Sequence, residues 1–180
     1  MTELQTRISE IGVVPVIKLN HPQRDAVPLA KALYAGGVPV AEVTFRAAGA
    51  DEAIRLMREA VPDMIVGAGT VLTTEQVDRA LAAGAQFIVT PGMDPELVRY
   101  CQEKGVDIFP GCTTPTDYHT AYKFGLEVLK FFPAEQSGGL AAAEGGLHLI
   151  ILEEAIVAVG GKAEHQLAEG HNFSHGFWPP

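Results

Sequence analysis

The sequence predicts an α/β fold in which helices alternate with parallel strands and the sheet closes as a (β/α)8 TIM-type barrel. Three observations predict it. One unit recurs, in which a helix-like segment ends on glycine, a short apolar strand follows, and a polar or Gly/Pro-rich turn leads onward. The helical stretches are long enough for the right-handed crossovers that join parallel strands. Polar or special residues then collect at the C-terminal ends of several different strands, where a barrel gathers its site. An open dinucleotide-binding sheet would carry a glycine fingerprint in its first βα turn, and that turn here reads Leu19-Asn20-His21-Pro22-Gln23.

The elements follow in order. The first strand is expected at residues 13–18. Ala35-Gly36-Gly37 then precedes a strand at 38–45, and Val61-Pro62 leads into one at 64–67. Ala83-Gly84 precedes 86–90, Lys104-Gly105 precedes 106–110, and Phe124-Gly125 precedes 126–132. Glycine just past a helix end adopts positive φ without a Cβ penalty, which makes it the expected cap. Helix starts are legible as well: Thr73-Thr74-Glu75-Gln76 offers a capping box, and Asp94-Pro95 places Asp at the N-cap and Pro in the first turn.

Composition narrows the function. A chain of 180 residues, 47% hydrophobic and 19% charged, is long enough to bury one sizeable core, so one domain is the default. Its net charge of −9, with no basic run or basic helix face, argues against nucleic acid or an anionic membrane as partner. Cys101 and Cys112 form no CxxC pair, and the first ten residues lack a basic-then-apolar signal segment. Free thiols and a cytoplasmic location are the expectation. No apolar run approaches the roughly 20 residues a membrane-spanning helix requires.

The chemistry concentrates in residues 126–135, Leu-Glu-Val-Leu-Lys-Phe-Phe-Pro-Ala-Glu. This run has the character of a strand covered on both faces, and Lys130 stands in its middle. Alternation puts Val128, Lys130 and Phe132 on one face. An amine in apolar surroundings favours its neutral form, the nucleophile that condenses with a carbonyl to give a Schiff base. The bland alternative is a lysine whose stem is buried while its head reaches solvent at the strand end. In residues 38–46 the same alternation places Val38, Val40, Glu42, Thr44 and Arg46 together. If that face lines the barrel, Glu42 and Arg46 join Lys130, the glutamate to move protons and the arginine to hold a carboxylate by two hydrogen bonds. A plain Glu–Arg ion pair is the competing reading. Gly67-Ala68-Gly69-Thr70 and Thr90-Pro91-Gly92 are weak alone, each compatible with a tight turn and a capping hydroxyl.

Together, Glu42-Val43-Thr44-Phe45-Arg46, Val66-Gly67-Ala68-Gly69-Thr70-Val71-Leu72, Thr90-Pro91-Gly92, Phe109-Pro110-Gly111-Cys112-Thr113 and Lys130-Phe131-Phe132-Pro133-Ala134-Glu135 resemble the 2-keto-3-deoxy-6-phosphogluconate and 4-hydroxy-2-oxoglutarate aldolase family. The match runs collinearly from about residue 11 to residue 139. The resemblance implies a class I, metal-independent, cofactor-free aldolase, usually a homotrimer on a (β/α)8 barrel. It implies Lys130 as the Schiff-base lysine, Glu42 as general acid/base, and Arg46 as the group that binds the pyruvate carboxylate. Thr70, Pro91 and Phe132 match residues lining the pyruvyl pocket, with Thr113 in the turn facing it.

Beyond residue 139 the pattern is shortened or divergent. The family continues with a strand ending in Pro-Thr-Gly-Gly and a last strand ending in Gly-Gly-Ser, whose turns hold the substrate phosphate. Residues 155–161 resemble that last strand and supply Gly160 and Gly161, but Lys162 replaces the serine, and Pro-Thr-Gly-Gly is absent. The barrel domain is therefore assigned to residues 1–161 and a divergent tail to 162–180. His165, His171 and His175 in that tail are spaced as metal ligands could be, but no metal site is expected there. The expected activity is aldol cleavage of a 2-keto-4-hydroxy acid to pyruvate and an aldehyde. A catalytically impaired barrel serving as an assembly subunit is the alternative, and a sugar isomerase would have no use for Lys130.

Overall fold

The computed structural model describes residues 1–138 and 156–158. Six helices alternate with strands: α1 (Glu3–Ile11), β1 (Val16–Lys18), α2 (Pro22–Ala35), β2 (Val40–Thr44), α3 (Ala50–Ala60), β3 (Ile65–Gly69), α4 (Thr74–Ala82), β4 (Phe87–Thr90), α5 (Pro95–Lys104), β5 (Asp107–Cys112), α6 (Pro115–Lys123) and β6 (Lys130–Phe131), with β7 at Ile156–Ala158. Every strand pair is parallel, and the order across the sheet is β6-β5-β4-β3-β2-β1-β7. Consecutive strands are thus neighbours, as in a βα barrel rather than a doubly wound sheet. β7 falls within residues 155–161 and pairs with β1, the place of a closing last strand. A full ring of eight is not seen among the described residues.

The sheet is strongly curled. In a flat sheet β2 and β6, four strand spacings apart, would stand roughly 19 Å from each other. Side chains from those two strands approach to 3.9 Å, which only a sheet rolled toward its own face permits.

Alternation sorts the buried residues onto two sides. Ile17, Ala41, Val43, Val66, Ala68, Ile88 and Ile108 pack outward against the helices, with Ala53, Ile54, Met57, Val77 and Val98. Val14, Val40, Ile65, Phe87, Val89, Phe109 and Val128 pack inward against each other. Glycine at two inward positions makes room for this interior. A Cβ on Gly67 would lie 2.3 Å from the Phe87 ring, and one on Gly111 would lie 2.3 Å from the Pro91 carbonyl oxygen.

α1 stands outside the repeat. Thr2 and Gln5 form a capping box at its start, and Ile8 packs into the inner cluster. Thr2 Oγ1 and Gln5 Nε2 both donate to Asp107 at the first residue of β5, so α1 covers the end where the strands begin. The site is left to the opposite end.

Local signals held with adjustments. Asp94 caps α5 with Pro95 behind it. Thr73 caps α4, but Gln76 Oε1 accepts from Leu72 rather than closing the box on Thr73. Gly105, the α5 cap, is left-handed at φ 69°. At α2 the left-handed residue is Gly37, one past the cap. β3 is longer than expected, running through Gly69, and β6 is shorter, with ladder pairing at Lys130 and Phe131 only.

Both cysteines are free and fully buried, and burial pushes each thiol up to about 12, with Asp117 adding to the effect at Cys112. At pH 8 only about one thiol in ten thousand would then be ionised. Alkylation by iodoacetamide should be slow in the native protein and rapid in denaturant. Prompt native alkylation of either cysteine would contradict this packing.

Candidate active site

Lys130 lies inside the curl. It pairs in register with Gly111 of β5, and its residue is 3% exposed. Its Nζ stands 3.9 Å from Glu42 Oε1 and 4.7 Å from the centroid of the Phe132 ring. Glu42 is fully buried as well. The alternation expected in both strands is therefore the one observed, with Val40 and Val128 deeper on the same inward face. A snorkelling lysine is ruled out by its burial. At 3.9 Å the two groups are an ion pair without a close hydrogen bond, a separation that leaves the carboxylate near any atom bonded to Nζ.

Arg46 and Thr70 meet at the ends of β2 and β3. The exposed Arg46 donates from Nε to Thr70 Oγ1 at 3.2 Å. Thr70 is the one non-glycine residue at positive φ among the described residues, at 54°. A β-branched residue held there is costly, and such positions cluster at functional sites. A guanidinium fixed through Nε loses less freedom on meeting a planar carboxylate.

The other anticipated residues border this centre. Pro91 follows β4 directly, its carbonyl against Gly111, the register partner of Lys130. Thr113 Oγ1 donates to the Phe132 carbonyl at 2.6 Å, and its N–H donates to Asp117 at the start of α6. The Thr113 hydroxyl thus ties the end of β5 to the residues just past Lys130. Gly160 and Gly161 lie outside the described residues, as do Lys162 and the three tail histidines. No group of three His, Cys, Asp or Glu side chains gathers as a metal-binding set among the described residues.

Sequence reasoning missed the part played by glycine. Gly67, expected at the end of its strand, and Gly69, expected in the turn beyond it, are both inward positions of β3, and a Cβ on Gly69 would lie 2.0 Å from Glu42 Oε1. Their spacing of two within a strand was the available signal.

A curled parallel sheet in sequential order, with a buried lysine, a carboxylate and an arginine at its strand ends, places the chain among βα-barrel enzymes. Its family is more particular. Residues 4–161 match the model of the KDPG and KHG aldolase family, and the chain belongs to that family. It is 44% identical over 163 residues to 2-dehydro-3-deoxy-phosphogluconate aldolase of Treponema pallidum, covering 83% of this chain and 77% of that protein. The namesake from Haemophilus influenzae is 46% identical over 134 residues, covering 74% of this chain but 63% of the relative, so less than two thirds of that relative's length is spanned. Among solved structures, KDPG aldolase of Legionella pneumophila, with pyruvate captured as a covalent carbinolamine, superposes with a TM-score of 0.71 at 38% identity, over 74% of this chain and 64% of that one.

Replacing Thr113 by valine removes one hydrogen bond to Phe132. It should lower stability by about 1 kcal/mol, read as a lower urea midpoint at constant slope. An unchanged midpoint would mean that the hydroxyl does not hold this strand end.

Proposed function

We propose that the chain is a class I aldolase that cleaves 2-keto-3-deoxy-6-phosphogluconate, 4-hydroxy-2-oxoglutarate or both to pyruvate and an aldehyde, through a Schiff base at Lys130. The observation that carries this reading is the buried Lys130 amine facing the buried Glu42 carboxylate at 3.9 Å. The Legionella relative, captured with pyruvate as a carbinolamine, supports it.

The steps follow from the geometry. The Lys130 ammonium first gives up a proton to solvent, the neutral amine attacks the C2 carbonyl, and the carbinolamine takes a proton back onto its departing hydroxyl and loses water to give the iminium. Glu42 takes the proton from the C4 hydroxyl, the C3–C4 bond breaks, and its electron pair moves into the iminium to give an enamine while the aldehyde departs. Glu42 then returns a proton to C3, and hydrolysis frees pyruvate and the amine. The iminium itself is the electron sink. Arg46, oriented by Thr70, holds the carboxylate beside the reacting carbonyl, with Phe132 and Pro91 as walls of the pyruvyl pocket. Closure of the sheet into eight strands, a homotrimeric assembly and a cytoplasmic setting for the buried thiols belong to the same proposal.

Mutant kinetics test it. Lys130→Ala should abolish pyruvate release from both substrates. Glu42→Gln should lower kcat by roughly 10²-fold or more, and Arg46→Leu should chiefly raise KM, because an arginine on a carboxylate acts on ground and transition states alike. Loss of folding stability in Glu42→Gln and Arg46→Leu, with kinetics per folded molecule unchanged, would favour purely structural roles.

Phosphate recognition is the second measurable point. The chain supplies Gly160-Gly161 but no Pro-Thr-Gly-Gly, and a lysine such as Lys162 is a point charge rather than a fixed ring of N–H donors. The kcat/KM preference for the phosphorylated substrate should stay below about a thousandfold, roughly 4 kcal/mol. A larger ratio would mean that residues 140–152 rebuild the missing turn.

A further inference from the structure

We propose that Gly69 is a positioning residue: the space left by its missing side chain is where the Glu42 carboxyl group stands, and that space aims the carboxylate at Lys130. The inference rests on the reading of Glu42 and Lys130 as the catalytic pair.

Glu42 pairs in register with Gly67, and Gly69 pairs with Thr44, one step nearer the strand ends. The Glu42 side chain leans along the strand direction, as side chains in sheets do, and so lies over Gly69 rather than over its own partner. A Cβ built on Gly69 would stand 2.0 Å from Glu42 Oε1 and 2.6 Å from both Cδ and Cγ. The same Oε1 is the atom facing Lys130 Nζ. Any side chain at residue 69 must therefore push that oxygen away from its present place.

Backbone conformation gives no other reason for glycine here. Gly69 is not among the glycines at positive φ and sits in regular strand, where glycine weakens the sheet. Gly67, two residues earlier, supplies the comparison, since the atoms nearest to its Cβ would be those of the Phe87 ring, at 2.3 Å, and not those of Glu42. The two glycines have the same strand, face and spacing but different neighbours. One clears an aromatic ring for packing, and the other clears a carboxylate for proton transfer.

Alanine substitution separates the two. Borohydride trapping of pyruvate at Lys130 reads amine attack, and deuterium uptake into the pyruvate methyl group in D2O reads proton transfer between Glu42 and C3. In Gly69→Ala, trapping per folded molecule should remain within about threefold of the parent, while exchange falls about 10²-fold, the scale of a displaced general base. Gly67→Ala should lose stability through Phe87 and keep exchange per folded molecule within about threefold of the parent. Glu42→Asp withdraws the carboxyl group from residue 69, so Gly69→Ala/Glu42→Asp should exchange at least about tenfold faster than Gly69→Ala, and should fold even if Gly69→Ala does not.

Parallel loss of trapping and exchange in Gly69→Ala, unchanged exchange, or no relief by Glu42→Asp would overturn the inference. Should the parent protein neither trap pyruvate nor exchange its protons, the functional reading fails instead. The steric claim is then judged by stability alone: a Gly69→Ala loss relieved by Glu42→Asp upholds it, and additive losses of the two substitutions overturn it.

Discussion

The structure depends on one costly interaction, the approach of Lys130 and Glu42 inside the curled sheet. Their side chains are 4% and 1% exposed, and the charges are 3.9 Å apart. Taking two such groups out of water costs several kcal/mol each, and their attraction recovers that loss only with close hydrogen-bonded geometry. An apolar pair of similar volume is often the more stable choice in such a position. The arrangement is better understood as a constraint that chemistry places on the fold than as a source of stability.

The rest of the described chain serves that constraint. Bringing β2 to β6 across three intervening strands requires the curl, and the curl requires small residues where strands crowd on its inner side. Gly67 yields to Phe87, Gly111 to the Pro91 carbonyl, and Gly69 to Glu42. α1 covers the far end through Ile8 and its bonds to Asp107, so polar groups are concentrated at the strand ends where Arg46, Thr70 and Thr113 lie. At those strand ends Thr70 holds a positive φ and accepts from Arg46 Nε.

Much of this was legible in the residues, for physical reasons that also mark where reading stopped. Period-two alternation in 38–46 and 126–132 placed Glu42 and Lys130 on one inward face because each strand has a helix-packed outer side, so only one register is allowed. Glycine caps such as Gly105 were legible because a left-handed residue has few alternatives. Space, by contrast, leaves no trace in a single residue: Gly69 matters through Glu42, twenty-seven positions away in sequence, and only the parallel register joins them. The helix α1 was less legible although Thr2 and Gln5 spell its capping box, because it lies outside the repeating βα unit. Thr113 was legible as part of the turn facing the pyruvyl pocket, but the bond from its hydroxyl to the Phe132 carbonyl was not, since it joins two strand ends nineteen residues apart.

The central claim is that the buried amine of Lys130 is the group that bonds to substrate. Reduction of the protein with borohydride in the presence of pyruvate, followed by peptide mass mapping, tests it most directly. The account predicts one reduced pyruvate per chain, carried on the peptide containing Lys130 and absent when pyruvate is omitted. Label spread over exposed lysines such as Lys31, Lys104 and Lys123, with Lys130 unmodified, would contradict it.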